Sequence, residues 1–228
     1  MTVPRRTSYP HGLLFDPADA VRHLTGADPA LALLIQRSGP FLMRPTRTQS
    51  LFAALLEAIV YQQLTGRAAE TILGRVHGLF APRRYPRAED LLLLSESKLR
   101  SAGLSRNKAA ALRDLARRVI DGTVPPLRAA RRMSDEELIE RLTTVRGIGR
   151  WTAEMYLMFQ LRRLDVWPVD DLGVRQGYAL AWQLEPAPTP KQLDPLGDRF
   201  RPYRSIVARY CWAAVPLLRP GGTAASLR

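Results

Sequence analysis

Cysteine is almost absent from this 228-residue sequence, in which Cys211 is the single example. One thiol excludes an intrachain disulfide framework, a zinc site made of cysteines and a four-cysteine iron–sulfur cluster. Histidine is nearly as rare, and His11, His23 and His77 lie far apart in the chain. No cluster of carboxylates with metal-ligand spacing accompanies them. These absences disfavour a metal-dependent nuclease.

Long apolar runs are also missing. No stretch approaches the roughly 18 apolar residues that a membrane-spanning helix needs, and the first residues lack the apolar core of a signal peptide. We therefore expect a cytoplasmic protein that acts on the genome, without a membrane partner.

Lysine is scarce although the chain is strongly basic. The 34 Lys and Arg residues exceed the 21 Asp and Glu residues by 13, yet only Lys98, Lys108 and Lys191 are lysines. A basic excess of this size favours a polyanionic partner, because each neutralised phosphate releases condensed counterions. The alternative is a basic protein whose charge only keeps it in solution. The planar guanidinium groups of arginine suit phosphate oxygens and can stack on bases. The three lysines leave few side-chain amines that could act as nucleophiles.

The hydrophobic pattern is helical along most of the chain. Apolar residues recur at helical spacing from Phe52 to Val60 and again from Ile72 to Phe80. Pro190 and Pro202 stand where helices can begin. Residues 161–169 are better interpreted as a loop than as a strand. The prediction is an all-α fold.

Helix-capping residues mark two further helices. Ser105 can cap a helix that Gly122 would close. Ser134 and Glu137 have the spacing of a capping box, ahead of an apolar stripe.

The most informative segment runs from Leu142 to Ala153 and contains Gly147-Ile148-Gly149 between two helical patterns. Two glycines one residue apart permit a tight turn with close backbone approach. The amides that begin the second helix would then point outward, where the helix dipole favours an anion such as a DNA phosphate. Ile148 would fill the gap between the two helices. A plain helix–helix turn is the alternative, since a short glycine motif alone is weak.

Asp170 and Asp171 follow Pro168 and precede an apolar helix. An aspartate at this place is first of all a good N-cap. A fixed carboxylate beside a sugar could also stabilise the positive charge that develops when an N-glycosidic bond breaks.

Taken together, four segments resemble the helix-hairpin-helix (HhH-GPD) DNA glycosylases, and most of all bacterial 3-methyladenine-DNA glycosylase II. The matching segments are Val145–Met155, Trp167–Leu172, Ile59–Leu64 and Arg201–Ser205, the last continuing to Trp212. They cover most of the chain from about residue 50 onward, in the order of the family.

The resemblance implies a monofunctional glycosylase that flips alkylated bases out of double-stranded DNA and hydrolyses the N-glycosidic bond, leaving an abasic site in base excision repair. It implies that Asp171 is the catalytic residue, which stabilises the cationic sugar and orients or activates water. We assign the helix cap to Asp170.

The resemblance also implies a base pocket and a wedge. Trp151 and Trp212 match pocket tryptophans that stack on an electron-poor base, although core packing is the usual role of tryptophan. Tyr203 and Arg204 would support or rim that pocket. The pair Gln62-Gln63 matches the loop that fills the gap in the base stack, with Gln63 inserting, although the long enterobacterial form carries an apolar wedge. A solvated glutamine pair is the alternative.

DNA contacts are implied at the hairpin as well. The amides of Gly147, Gly149 and Thr152 would face phosphate, with Arg146 and Arg150 beside them. The family also binds a monovalent cation, Na⁺ or K⁺, through hairpin carbonyls, and the matching positions are Thr143, Val145 and Ile148. No other cofactor is implied.

Two alternative functions are weighed against this one. A bifunctional glycosylase–lyase uses a lysine just after the hairpin for a Schiff base, but that position holds Trp151 and no lysine is near. A non-catalytic hairpin module would lack the downstream Pro-x-Asp-Asp and the aromatic pocket, both of which this chain has.

We expect a monomer of two helical lobes with the active-site cleft between them. Residues 1–50 and 141–228 would form the lobe that carries the hairpin and the catalytic aspartate, and residues 51–140 the central lobe. About 50 residues precede the wedge helix, too few for the N-terminal β domain of the long form. Fraying is expected at 1–10 and 220–228.

Overall fold

The structure, a computed structural model, describes residues 16–39, 50–83 and 86–218. The ends at 1–10 and 220–228, for which fraying is predicted, lie outside this part. The described residues form helices and loops without a strand, which confirms the all-α prediction. The α-helices, in chain order, are α1 (Pro17–Ala27), α2 (Pro29–Ser38), α3 (Leu51–Tyr61), α4 (Gly66–Gly78), α5 (Ala88–Leu93), α6 (Glu96–Ser101), α7 (Arg106–Ile120), α8 (Leu127–Ala130), α9 (Asp135–Thr143), α10 (Arg150–Phe159), α11 (Leu172–Trp182), α12 (Pro190–Leu196) and α13 (Arg204–Leu218).

These residues divide into two compact units. The terminal unit holds 16–39 and 163–218, and the central unit holds 50–83 and 86–162. The division differs from our predicted domains at the hairpin, because residues 141–162 group with the central unit. The reason is packing: α10 lies against both α9 and α3.

The capping predictions are largely confirmed. The Ser105 hydroxyl accepts the Lys108 amide at the start of α7, and Gly122 follows the end of that helix with φ +80°. The Ser134 hydroxyl likewise accepts the Glu137 amide at the start of α9. The predicted capping box is only half formed in the described residues, because the Glu137 carboxylate accepts from Arg141 instead of from the Ser134 amide. Residues 161–169 are a loop, as predicted.

Two proline-based predictions have different outcomes. Pro190 is the first residue of α12, where Thr189 and Gln192 form a reciprocal capping box. Pro202, however, lies in a turn, and α13 begins two residues later at Arg204.

The terminal unit is organised around α11 and α13, which pack along most of their lengths. Asp28, only 5% exposed, caps α2 and accepts the Trp182 indole N–H at 3.1 Å and the Arg199 guanidinium at 2.9 Å. Trp182 stacks on Tyr178 with ring centroids 4.0 Å apart. Asp28 is thus a structural carboxylate whose partners all lie in this unit.

The central unit is organised around α3, which is buried over most of its surface and packs on α7 and α10. The helices α5 and α6 cover other faces of α7. This arrangement fixes both the end of α3 and the hairpin between α9 and α10.

Candidate functional site

Asp171 is the N-cap of α11, and one of its oxygens accepts two hydrogen bonds. Asp171 Oδ1 accepts the Val174 backbone N–H at 2.7 Å and the Trp212 indole N–H at 2.8 Å. Our assignment of the cap to Asp170 was wrong, since Asp170 is exposed in the preceding turn. The candidate catalytic carboxylate is thus also the helix cap. Of the two aspartates, only Asp171 is placed by the turn so that its side chain accepts an amide of α11. The two N–H donors hold this carboxylate in a fixed position.

Two glycines of α11 make this arrangement possible. A Cβ at Gly173 would lie 2.8 Å from Trp212 Cδ1 and 3.1 Å from Asp171 Oδ1. A Cβ at Gly177 would lie 1.7 Å from the carbonyl oxygen of Cys211. The glycines thus let α11 and α13 approach closely enough for Trp212 to reach the carboxylate. Sequence reasoning missed both, although two glycines four residues apart inside a helix signal such an approach.

Cys211 adjoins this carboxylate but is unsuited to nucleophilic chemistry. It is fully buried, and burial, followed by the negative charge of Asp171, raises the pKa of its thiol far above the usual range. Neutral thiols are poor nucleophiles, so Cys211 serves packing.

Tyr203 and Arg204 lie at the start of α13 in the terminal unit. The Tyr203 ring meets the edge of His23 with centroids 5.3 Å apart. Arg204 is committed to Asp165: its Nε donates at 2.8 Å and its Nη2 at 3.0 Å to the two carboxylate oxygens, and its side chain is 12% exposed. This bidentate pair, across 39 residues, gives Arg204 a structural role that sequence reasoning did not foresee.

The hairpin has the predicted form. Gly147 has φ +81°, which favours glycine, and Ile148 is 4% exposed, in agreement with its expected packing role. Gly149 is the N-cap of α10 and carries no side chain, and a Cβ there would meet nothing within 4 Å. The first backbone N–H groups of α10, including that of the buried Thr152, have no acceptor within the helix. They lie next to the open space at Gly149.

The two hairpin arginines differ in their partners. Arg150 donates two hydrogen bonds of 2.8 Å to Glu136 and one of 3.1 Å to Glu154. These carboxylates, Glu136 first, raise the pKa of Arg150. Arg146 contacts the neutral amide of Asn107 at 3.2 Å through its side chain, while its backbone N–H donates to Asp114 at 2.8 Å. Of the two, Arg146 retains more uncompensated positive charge.

The wedge pair lies at the turn that joins α3 to α4, between two helices as predicted. Gln62 is the C-cap of α3, and its Nε2 donates to the Gly147 carbonyl oxygen at 2.8 Å. Gln63 is exposed and has φ +57°, the left-handed region that a residue other than glycine rarely adopts. The turn therefore holds Gln62 against the hairpin and presents Gln63 to solvent.

An aromatic cavity of about 630 Å³ lies between α3 and α10 in the central unit. Two rows of α10 face it: Trp151, Met155 and Phe159 form an apolar row, and Thr152, Tyr156 and Gln160 form a polar one. Trp151 is 47% exposed, which is more than a tryptophan that only packs in a core would show. We call this space the α3–α10 cavity.

The polar groups of the α3–α10 cavity are unevenly satisfied. Within the described part of the chain, the buried hydroxyl of Tyr156 has no hydrogen-bond partner, and burial raises its pKa to about 12. Among the described residues that line the cavity, Glu57 is the one carboxylate. Burial, then Glu70 and Glu57, raise the pKa of Tyr61. Both phenols are therefore neutral near pH 7.

The predicted cation site consists of backbone carbonyls around the hairpin turn. The Val145 carbonyl oxygen already accepts the Ile148 N–H at 3.0 Å, so it can offer a second lone pair. Neutral oxygens would suit a monovalent cation. The described residues contain no group of three or more His, Cys, Asp or Glu that could hold a metal ion. In the same residues, no helix is long and apolar enough to cross a membrane.

The sequence of this chain is similar to those of known base excision repair proteins. The family model described as HhH-GPD superfamily base excision DNA repair protein matches residues 56–201. DNA-3-methyladenine glycosylase 1 of Schizosaccharomyces pombe is 36% identical over 83% of this chain and 84% of the relative. DNA-3-methyladenine glycosylase 2 of Escherichia coli is 26% identical over 72% of this chain and 55% of the relative.

Solved structures agree with these matches. The S. pombe 3-methyladenine DNA glycosylase Mag1 in complex with abasic DNA superposes with a TM-score of 0.74 at 36% identity, covering 85% of this chain and 95% of that one. A DNA-3-methyladenine glycosidase of Bacillus halodurans gives a TM-score of 0.78 at 33% identity, covering 86% and 89%. An endonuclease III complex at 19% identity shares the fold.

Proposed function

The chain belongs to the HhH-GPD superfamily of base excision DNA repair proteins, and we propose that it is a monofunctional glycosylase that releases alkylated bases from duplex DNA. Support for alkylated substrates comes from relatives named as 3-methyladenine glycosylases. The observation that carries the proposal is Asp171, a carboxylate fixed by a helix amide and an indole N–H.

Asp171 would act on the sugar. When the N-glycosidic bond breaks, its electron pair leaves with the base and positive charge develops on the ring oxygen and C1′. A carboxylate held in place stabilises that charge without reorganising. Water then adds to C1′ and gives up a proton, which Asp171 can accept. A purine methylated at N3 or N7 already carries positive charge, so its release needs no separate acid for the leaving base.

The hairpin would bind the DNA backbone. The amides that begin α10 lie beside open space at Gly149, a suitable place for a phosphate. A Na⁺ or K⁺ ion held by the Thr143, Val145 and Ile148 carbonyls would add positive charge next to that phosphate. The α3–α10 cavity, with Trp151 in its wall, suits the stacking of an extruded, electron-poor base.

The lyase alternative is weaker because of the chemistry at the hairpin. A Schiff base needs an amine, and the residue two positions after Gly149 is Trp151. We expect borohydride treatment during turnover to trap no protein–DNA adduct. A trapped adduct would instead favour the lyase.

The test is base release from a duplex that contains 7-methylguanine, measured by mass spectrometry, with abasic sites detected by alkaline cleavage. We expect Asp171→Asn to abolish release and to keep DNA binding. Asparagine is an equally good N-cap and its amide oxygen can still accept the Trp212 N–H, so the fold is retained. Full activity of this variant would overturn the assignment of Asp171.

A further inference from the structure

Lys108 is bound to the end of the helix that precedes the wedge. Its ammonium donates hydrogen bonds of 2.7 Å to the backbone carbonyl oxygens of Val60 and of Gln62. The last carbonyls of a helix have no partner within the helix, so these two bonds satisfy acceptors that the α3 C-terminus leaves open. The contact spans more than 40 residues of sequence.

The position of Lys108 is unfavourable for its own helix. It lies in the first turn of α7, where the helix dipole is positive and a cation is disfavoured. Half-burial also removes water from the ammonium and lowers the pKa of Lys108. The two hydrogen bonds to carbonyls at the negative end of α3 offset part of this cost, so α3 is the element that gains from this lysine.

Both carbonyls that Lys108 binds lie just before Gln63 in the chain. Its left-handed conformation costs roughly 1 kcal/mol for a residue with a side chain, so its surroundings must hold it. Lys108 binds the turn on one side, and the Gln62 side chain binds the Gly147 carbonyl oxygen on the other. Lys108, the wedge turn and the hairpin thus form one hydrogen-bonded chain.

Gln63 lines two different cavities of the central unit. One is the α3–α10 cavity. The other is a polar cavity of about 370 Å³, whose lining includes Lys108, Asn107 and Arg146. No acidic residue is among the described residues that line this second cavity. A side chain that enters the base stack at Gln63 would separate an aromatic space from a basic one.

We propose that Lys108 is a positioning residue for base extrusion, which fixes the α3–α4 turn so that Gln63 fills the gap in the stack. This inference rests on the proposed glycosylase function. Lys108 acts through the turn and does not touch the reacting sugar or base.

The test compares a paired lesion with an unpaired one under single-turnover conditions. The same 7-methylguanine is placed opposite cytosine or in a one-nucleotide bulge, where extrusion costs less. We expect Lys108→Met to slow release from the paired duplex about tenfold and to leave release from the bulge within about twofold. Equal losses on both substrates, or no loss on either, would refute the positioning role.

A double-mutant cycle separates positioning from general damage. If Lys108 acts through the wedge, Gln63→Ala gives the same preference for the bulge, and Lys108→Met adds little to it. Losses that multiply would show that Lys108 works elsewhere. Should Lys108→Met fail to fold, Lys108→Gln replaces it in the same cycle.

Lys98 provides a matched control. It is also the third residue of a helix capped by a serine, its amide donates to that serine at 3.2 Å as that of Lys108 does, and its side chain is exposed. Lys98→Met removes the same charge but leaves the contacts of the α3–α4 turn intact. We expect this variant to release the base from both substrates at the wild-type rate. A wild-type protein that releases no base from either substrate would refute the glycosylase function itself.

Discussion

Trp212 donates its indole N–H to Asp171 at 2.8 Å, and the oxygen that accepts it also caps α11. A tryptophan predicted to stack on a base thus also orients the candidate catalytic carboxylate. Trp212 is half-buried in the terminal unit. The position of the carboxylate therefore depends on how closely α13 approaches α11.

Gly173→Ala tests that dependence. The added methyl group would contact the Trp212 ring at 2.8 Å and push it away from Asp171. We expect single-turnover base release to fall about tenfold, since one hydrogen bond to a charged group contributes about 1.5 kcal/mol or more. DNA affinity, measured by fluorescence anisotropy, should change little.

The control for this variant is Gly74→Ala in α4, where a Cβ meets nothing within 4 Å. Alanine in a helix interior should raise the free energy of unfolding by about 0.5–1 kcal/mol and leave excision intact. Wild-type rates for Gly173→Ala would contradict the role of the Trp212 contact.

Gly149→Asp tests phosphate binding at the hairpin. Gly149 has φ −92° and free space for a side chain, so aspartate fits without strain but places negative charge where phosphate is expected. We expect weaker DNA binding, measured as a salt titration of the dissociation constant. Gly149→Asn, similar in size and neutral, is the control. Identical affinities for the two variants would argue against a phosphate at this position.

Glu57→Gln tests the electrostatics of the α3–α10 cavity. Glu57 is the one carboxylate among the described residues that line this aromatic space, and it would favour a positively charged base. We expect the ratio of rates for cationic 7-methylguanine over neutral ethenoadenine to fall about fivefold, which corresponds to a partly exposed charge pair of about 1 kcal/mol. Glu70→Gln, which changes an exposed glutamate outside the cavity, should preserve the ratio. An unchanged ratio in Glu57→Gln would place the base elsewhere.

Tyr156→Phe tests the unsatisfied hydroxyl behind the same cavity. Removal of a buried hydroxyl that has no hydrogen-bond partner among the described residues should leave the free energy of unfolding unchanged or raise it by about 1 kcal/mol, as measured by urea denaturation. Tyr178→Phe is the matched control, because Tyr178 is also buried but its hydroxyl accepts from Arg199 at 3.4 Å. We expect that variant to be less stable than wild type.

The two tyrosines also predict an alkaline limit of stability. Burial raises the pKa of each to about 12, so the unfolded chain loses these protons near pH 10 while the native protein keeps them. The unfolded state then binds fewer protons, and stability falls as pH rises from 10 towards 12. Tyr156→Phe should flatten this decline in thermal melts recorded at several pH values. A melting profile identical to that of wild type would contradict the burial of this phenol.

Local features were readable from the sequence because they depend on neighbours in the chain. Helix periodicity, the Ser105 and Ser134 caps and the Gly147–Gly149 turn each involve residues a few positions apart, and each is found where predicted. The resemblance placed Asp171 and Gln63 for the same reason, since their motifs are contiguous.

Only the tertiary structure decided which partner each charged or bulky side chain finds. Arg204 binds Asp165 across 39 residues, and Lys108 binds a carbonyl 48 residues away. Periodicity carries no information about such pairs, because they form when separate helices pack. The packing of α13 on α11 also requires that Gly173 has no side chain. The sequence by itself therefore determined the helices, whereas the close approach of α13 to α11 determined the position of the Asp171 carboxylate.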